Sequence, residues 1–218
     1  MGPDTTVDFM AKVSAATRAE RDQDHARLLV DQNPGVPNRQ AALLDGGEDP
    51  GPAMAAMARG LEQAGADFLV MPCNTAHAFA PAIRAAVSIP LVSIIDVTVE
   101  ACRGHDTVGV LATAGCLRAN LYQEACAAAG MTPVLPDEAG VAEISRLAIA
   151  IKLGDRGADV AARMKHVADR LVGAGAQTIV AACTEIPLVL TPAMLSVPLV
   201  SSTDVLAEIT AAMCAGVA

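Results

Sequence analysis

Two cysteines, Cys73 and Cys183, close two near-copies of one pattern. The segments Gly65-Ala66-Asp67-Phe68-Leu69-Val70-Met71-Pro72-Cys73-Asn74-Thr75 and Gly175-Ala176-Gln177-Thr178-Ile179-Val180-Ala181-Ala182-Cys183-Thr184-Glu185 each read as a Gly-Ala turn, an apolar β-like run, and a thiol where polar residues begin. Each half of the chain is therefore expected to carry one thiol at the carboxyl end of a strand, where ligands of open parallel sheets bind. If the halves face each other, the thiols flank one cleft, the arrangement that two-base proton transfer needs. Thiols suit this work because their ordinary pKa of about 8.5 responds to modest local fields. A helix starting just after each cysteine predicts a lowered pKa and a favoured thiolate. Asn74, Thr75 and Thr184 add donors suited to a carboxylate at a helix N-terminus, and the same residues are also ordinary N-caps.

Helical and strand signals alternate along the chain. A helix is predicted over 4–23 with Asp4 or Thr5 as its cap, a short strand from Arg27 to Val30, and a Pro/Gly-rich loop over Asn33–Pro37. A helix over Pro52–Ala64, strand 67–72, a helix after Cys73 and strand Leu91–Ile95 follow. The second half reads as strand Thr107–Ala112, a helix running to Ala129, helices near 141–153 and 156–173, strand 177–182, strand 198–201 and a terminal helix. Alternation of this kind predicts an α/β protein with parallel sheets flanked by helices.

The chain also resembles itself. Leu61, Ala64, Gly65, Ala66, Val70 and Cys73 recur 110 positions later as Leu171, Ala174, Gly175, Ala176, Val180 and Cys183. Ile89-Pro90-Leu91-Val92-Ser93 with Asp96-Val97 recurs 108 positions later as Val197-Pro198-Leu199-Val200-Ser201 with Asp204-Val205. Two nearly collinear matches argue for internal duplication. Half two opens with the strand Val108-Gly109-Val110-Leu111-Ala112, whereas half one opens at Met1-Gly2-Pro3, already at the turn. The first strand of half one is expected to be missing, through a start placed too far downstream, a shortened chain, or cover supplied by a partner.

Composition excludes several classes. The 218 residues are 53% hydrophobic but only 2% aromatic, so Ala, Val, Leu, Ile and Met must build the core of one domain or two. No apolar run reaches the roughly 18 residues of a membrane span, and no signal peptide opens the chain, so a cytoplasmic protein is expected. A net charge of −9 with 15 scattered Lys and Arg leaves no basic stripe for nucleic acid. Scarce cations make those near a cleft informative, and Arg39 and Lys152 are the ones singled out. Six cysteines without a CxxC pair suggest reduced thiols, with Cys102, Cys126 and Cys214 read as buried small hydrophobes. No zinc motif is present, and His25, His105 and His166 lack metal-ligand spacing.

The residues collected so far resemble the cofactor-independent aspartate/glutamate racemases. The resemblance rests on Met1-Gly2-Pro3 with Thr6, Pro37-Asn38-Arg39, Met71-Pro72-Cys73-Asn74-Thr75-Ala76-His77, Ala112-Thr113-Ala114-Gly115 with Tyr122, Ile151-Lys152-Leu153-Gly154, and Cys183-Thr184-Glu185-Ile186-Pro187-Leu188, and it runs over essentially the whole chain. It implies two α/β domains related by a pseudo-twofold axis, with the active site between them. The expected division is 1–96 plus 203–218 against 97–202. It also implies that one thiolate removes the α-proton of aspartate or glutamate while the opposite thiol delivers a proton, without a cofactor. By motif match Cys73 and Cys183 take these roles. Asn74, Thr75, Thr113 and Thr184 would hold the α-carboxylate and ammonium, and Arg39 and Lys152 would pair with carboxylates. Arg39 offers a bidentate fork. A homodimer is the expected assembly.

Departures from the pattern point to a branch. Ala182 stands where glycine is usual, and Cys116 where threonine is. The Asp-Ser and Cys-Thr-His signatures typical of cell-wall glutamate racemases are absent, and Glu185 stands at that histidine's place, nearer the aspartate-type or broad-specificity branch. Glu185 either grips the substrate ammonium or orients the thiol, or caps a helix. His77 either tunes Cys73 or lies on a helix surface. Alternatives on the same fold are a diacid decarboxylase, a cis-trans isomerase or a hydantoin racemase. A non-catalytic dicarboxylate-binding protein is a further one.

Overall fold

The structure, a computed structural model, describes residues 2–216. Its elements alternate as the pattern predicts. In the first half these are α1 (Pro3–Ala16), α2 (Arg39–Leu44), α3 (Gly51–Gln63), β1 (Leu69–Val70), α4 (Ala80–Arg84), β2 (Leu91–Val92) and α5 (Ile94–Glu100). In the second they are β3 (Thr107–Leu111), α6 (Ala114–Arg118), α7 (Leu121–Ala128), β4 (Thr132–Val134), α8 (Glu138–Lys152), α9 (Ala158–Gly173), β5 (Thr178–Ala181), β6 (Leu199–Ser201) and α10 (Ser202–Cys214). All strand pairs are parallel. They form a two-stranded sheet, β1-β2, and a four-stranded sheet ordered β4-β3-β5-β6. No helix among the described residues is long and apolar enough to cross a membrane.

Period-two alternation decides which side of the larger sheet each residue faces. Val108, Val110 and Ala112 of the β3 run, with Val180 and Ala182 of the β5 run, pack with Phe9, Ile94, Tyr122 and Leu206. Leu111, Ile179, Ala181 and Cys183 point the other way, into the layer of α8 and α9. A third cluster joins α3, β1, α4 and β2. The terminal helix α10 packs on α1 and α5 of the first half, pinned by Lys12, whose Nζ lies 2.8 Å from Asp204.

The centre of β3 admits no side chain. A Cβ on Gly109 would lie 2.5 Å from Ile179 Cδ1 and 2.9 Å from Ala176 Cβ. Gly109→Val is therefore expected to lower stability by about 1–3 kcal/mol through overpacking, read as a lower urea midpoint with an unchanged slope.

Several boundaries differ from the predicted ones. The first helix ends at Ala16, and its cap is the extended Gly2 ahead of Pro3 in the first turn, rather than Asp4 or Thr5. Arg27–Val30, expected as a short strand, joins no sheet. The run 67–72 pairs only at Leu69–Val70, and Ile94 and Ile95 belong to α5, because the Ser93 hydroxyl accepts from Asp96 N–H and starts a helix there. The helix expected up to Ala129 breaks at Asn120, whose φ is 54°. Strand β4 escaped the pattern because Pro133 sits in it, which an edge strand tolerates. Cys102 and Cys126 are buried, but Cys214 is exposed on the last turn of α10, so the packing role expected for it does not hold.

Candidate active site

Polar residues at the strand ends of the two halves meet in two hydrogen-bonded groups, one around Asn74 and one around its neighbour Thr75. Asn74, directly after Cys73, accepts from the buried Tyr122 hydroxyl at 2.7 Å and donates through Nδ2 to Ser202 Oγ at 3.0 Å. Ser202 in turn donates to the Ala181 carbonyl at 2.8 Å, two residues before Cys183. Thr75 and Thr113 hydroxyls lie 3.2 Å apart. Gln40 completes the junction: its Nε2 donates to Thr113 Oγ1 at 2.7 Å, and its Oε1 accepts from Gly115 N–H at 2.7 Å. A Cβ at 115 would lie 2.5 Å from Gln40 Oε1, so a larger residue there would displace the Gln40 side chain from these bonds. The Asn74 and Thr113 side chains thus make no cap bonds; their polar groups bridge the two halves.

The second cysteine sits in a charged pocket. Cys183 is buried, and its thiol donates to Glu185 Oε2 at 3.0 Å. Thr184 donates to the same oxygen at 2.9 Å and lies 3.3 Å from the Thr5 hydroxyl. Lys152, at the end of α8, places Nζ 3.4 Å from Glu185 Oε1. Glu185 makes no cap bond, so of the two readings of its role the one that orients the thiol describes its contacts. Burial, reinforced by the Glu185 charge, pushes the Cys183 thiol well above the ordinary thiol range, with Lys152 opposing weakly.

The lowered pKa expected from a helix dipole is therefore corrected for Cys183. The turn that follows it is only Ile186–Leu188, too short to build a dipole that offsets desolvation. Glu185→Gln removes the negative charge, keeps the acceptor and leaves the Lys152 charge in place. It is expected to raise the Cys183 thiolate fraction about tenfold at neutral pH. The check is the pH dependence of iodoacetamide labelling at Cys183, followed by peptide mass spectrometry.

The first cysteine is half-buried, and its backbone is held on both sides. Its N–H donates to the Met71 carbonyl at 2.7 Å. Its carbonyl accepts from His77 Nδ1 at 2.8 Å, while His77 Nε2 accepts the Ile94 N–H at 3.2 Å. His77 is thus a buried, neutral support, not a helix-surface residue, and burial pulls its pKa down to about 4. Burial raises the pKa of the Cys116 thiol to about 12, with a smaller contribution from Cys73.

Arg39, expected to pair with a carboxylate, is partly engaged within its own loop. Its Nη1 donates to the Val36 and Pro37 carbonyls at 3.0 and 2.6 Å, so it folds onto its own loop, leaving Nε and Nη2 outside these bonds. The neighbouring Gln40 reaches the strand ends instead. Nothing in the pattern singled out Gln40 or Ser202, and it marked Thr5 only as a helix cap; the Asn38 cap, which accepts from Gln40 and Ala41 N–H groups, is the only local signal near the first of them.

Taken together, the strand ends form a donor-rich floor, with one thiol before it and another joined to it through Ser202 and β5. Comparisons with known proteins bear on the fold and the family. The model of the Asp/Glu/Hydantoin racemase family matches residues 1–210. A broad-specificity amino-acid racemase of Bacillus subtilis is 27% identical over 224 residues, covering 96% of this chain and 93% of that protein. The fold is that of the aspartate racemase of Picrophilus torridus, with a TM-score of 0.84 at 24% identity over 98% of this chain and 90% of that one. It is also that of an aspartate racemase homologue from Pyrococcus horikoshii, with a TM-score of 0.79 at 20% identity over 98% and 95%. With the family model covering nearly the whole chain, this protein belongs to the Asp/Glu/hydantoin racemase family.

Proposed function

We propose that the protein racemises a small acidic amino acid, aspartate or glutamate, by proton transfer between Cα and two cysteines, without a cofactor. The observation that carries this reading is the hydrogen-bonded path from Asn74, beside Cys73, through Ser202 to β5 and Cys183. It ties the two thiol-bearing turns to one donor-rich floor.

An amino-acid α-proton is weakly acidic, so charge developing on the carboxylate must meet fixed donors. The Thr75, Thr113 and Gln40 groups offer them at the junction. Cys183, held as a thiol by burial and by Glu185, is set to deliver a proton, and the more accessible Cys73 is set to remove one. The roles exchange in the reverse direction, when Glu185 and Lys152 must accommodate a Cys183 thiolate. Arg39 keeps free donors for a side-chain carboxylate.

Incubation with L-aspartate and L-glutamate separately in D2O tests the reading. Deuterium at Cα together with the D-isomer is expected for at least one of them. Unchanged substrate at high protein concentration would overturn it.

A further inference from the structure

Tyr122 is the only tyrosine of the chain, and it is fully buried in the core cluster that both halves build. A phenylalanine would fill the same space, so the hydroxyl has to be explained by what it touches. It donates to Asn74 Oδ1 at 2.7 Å. Burial pushes the phenol well above the ordinary tyrosine range, so the donor keeps its proton.

The direction of each bond beyond that hydroxyl is fixed by the next. Ser202, itself fully buried, has one hydroxyl proton and gives it to the Ala181 carbonyl at 2.8 Å, so towards Asn74 its oxygen can only accept. It accepts from Asn74 Nδ2 at 3.0 Å. Turning the Asn74 amide over would set its oxygen against the Ser202 oxygen and leave the phenol proton without its acceptor. Both neighbours therefore enforce one orientation.

An amide nitrogen carries two hydrogens, and only one of those on Asn74 Nδ2 has a partner among the described residues. The other is the one donor left over in the chain from Tyr122 to Ser202, and it belongs to the residue directly after Cys73. At the matching place in the second half, Thr184 gives its single hydroxyl proton to Glu185 at 2.9 Å. The two thiol-bearing turns thus differ in what they can donate.

We infer that Tyr122 is a positioning residue for racemisation: together with Ser202 it holds the Asn74 amide so that the remaining N–H, and not the oxygen, faces the substrate α-carboxylate. The inference rests on the racemase reading above. Negative charge grows on that carboxylate as Cα loses its proton, so a donor there stabilises the transition state more than the bound substrate. An oxygen in its place would repel the charge. Without the phenol, Ser202 can turn its hydroxyl towards Asn74 Oδ1, and the amide is free to turn over.

The test compares Tyr122→Phe, Ser202→Ala and the double variant with the parent enzyme, on whichever of aspartate and glutamate the parent racemises, with thermal midpoints measured alongside. Tyr122→Phe is expected to lower kcat by about 10- to 100-fold while KM stays within about threefold. Ser202→Ala should show the same split, since it releases the amide from its other end. Because both act on one amide, the double variant is expected to be about as slow as the slower single one, rather than to multiply the two losses. A merely structural hydroxyl predicts a lower thermal midpoint with kcat per folded molecule unchanged. That result, a rise in KM alone, or multiplied losses would overturn the inference. If Tyr122→Phe does not fold, the kcat and KM of Ser202→Ala decide between the same outcomes. A parent that racemises neither substrate overturns the racemase reading and this role with it, whereas an active parent with unaffected variants overturns this role alone.

Discussion

Cys73→Ser and Cys183→Ser are each expected to lower the racemisation kcat by at least about 10³-fold, because a serine hydroxyl is far too weak an acid to exchange roles as base and acid near neutral pH. The two losses should differ in kind. With one thiol left, a proton can still be removed from one face of Cα and returned from solvent to that same face. Each variant should then exchange the α-hydrogen of one enantiomer in D2O without inverting it, and the two variants should choose opposite enantiomers. The serine at 183 keeps a hydroxyl for Glu185, so the pocket is not left with an unpaired carboxylate. Chiral chromatography with mass detection reads both quantities. A single variant that racemises at the parent rate, or that exchanges both enantiomers, would remove the two-base mechanism.

Acid is expected to unfold the protein partly through His77. In the unfolded chain this imidazole titrates near 6.5; in the folded protein burial lowers that to about 4, against the favourable bond to the Cys73 carbonyl. Between those values the unfolded state binds more protons, so stability rises with pH across this window. It is lost as pH falls from 6.5 toward 4, by about 3 kcal/mol in all for this one group. Urea midpoints measured from pH 7 to pH 4 check the slope. His77→Asn, which keeps a donor for the Cys73 carbonyl but does not titrate, should flatten it while lowering stability at neutral pH through the unpaired Ile94 N–H. Equal slopes in the two proteins would show that His77 is not the group responsible. Because the same imidazole holds the Cys73 backbone, activity and stability should fall together in the parent protein.

Local pattern made the strand ends, both cysteines and the parallel βα order legible. A Gly-Ala turn, an apolar run and a polar stop are short-range features, and they occur twice. The same locality made the charge state of Cys183 illegible. A helix dipole can be inferred from neighbouring residues, but desolvation depends on α8, α9 and Glu185 closing around the sulfur. The Arg39 case is similar. The sequence marks it as a scarce cation, but the Val36–Pro37 carbonyls that take up its Nη1 are a property of how the loop turns.

By itself, then, the sequence determined where thiols, hydroxyls and amides fall along each half and which runs form strands. It also carried the family, through motifs spread over the whole length. Tertiary structure alone decided which of these groups meet. Gln40 reaches Thr113, and Asn74 reaches Ser202, across separations of 73 and 128 residues. No local preference encodes such contacts, because they follow from how the sheets and helices pack. The matched cysteine segments acquire unlike thiols for the same reason: one lies half-buried beside a neutral histidine, the other buried against a carboxylate.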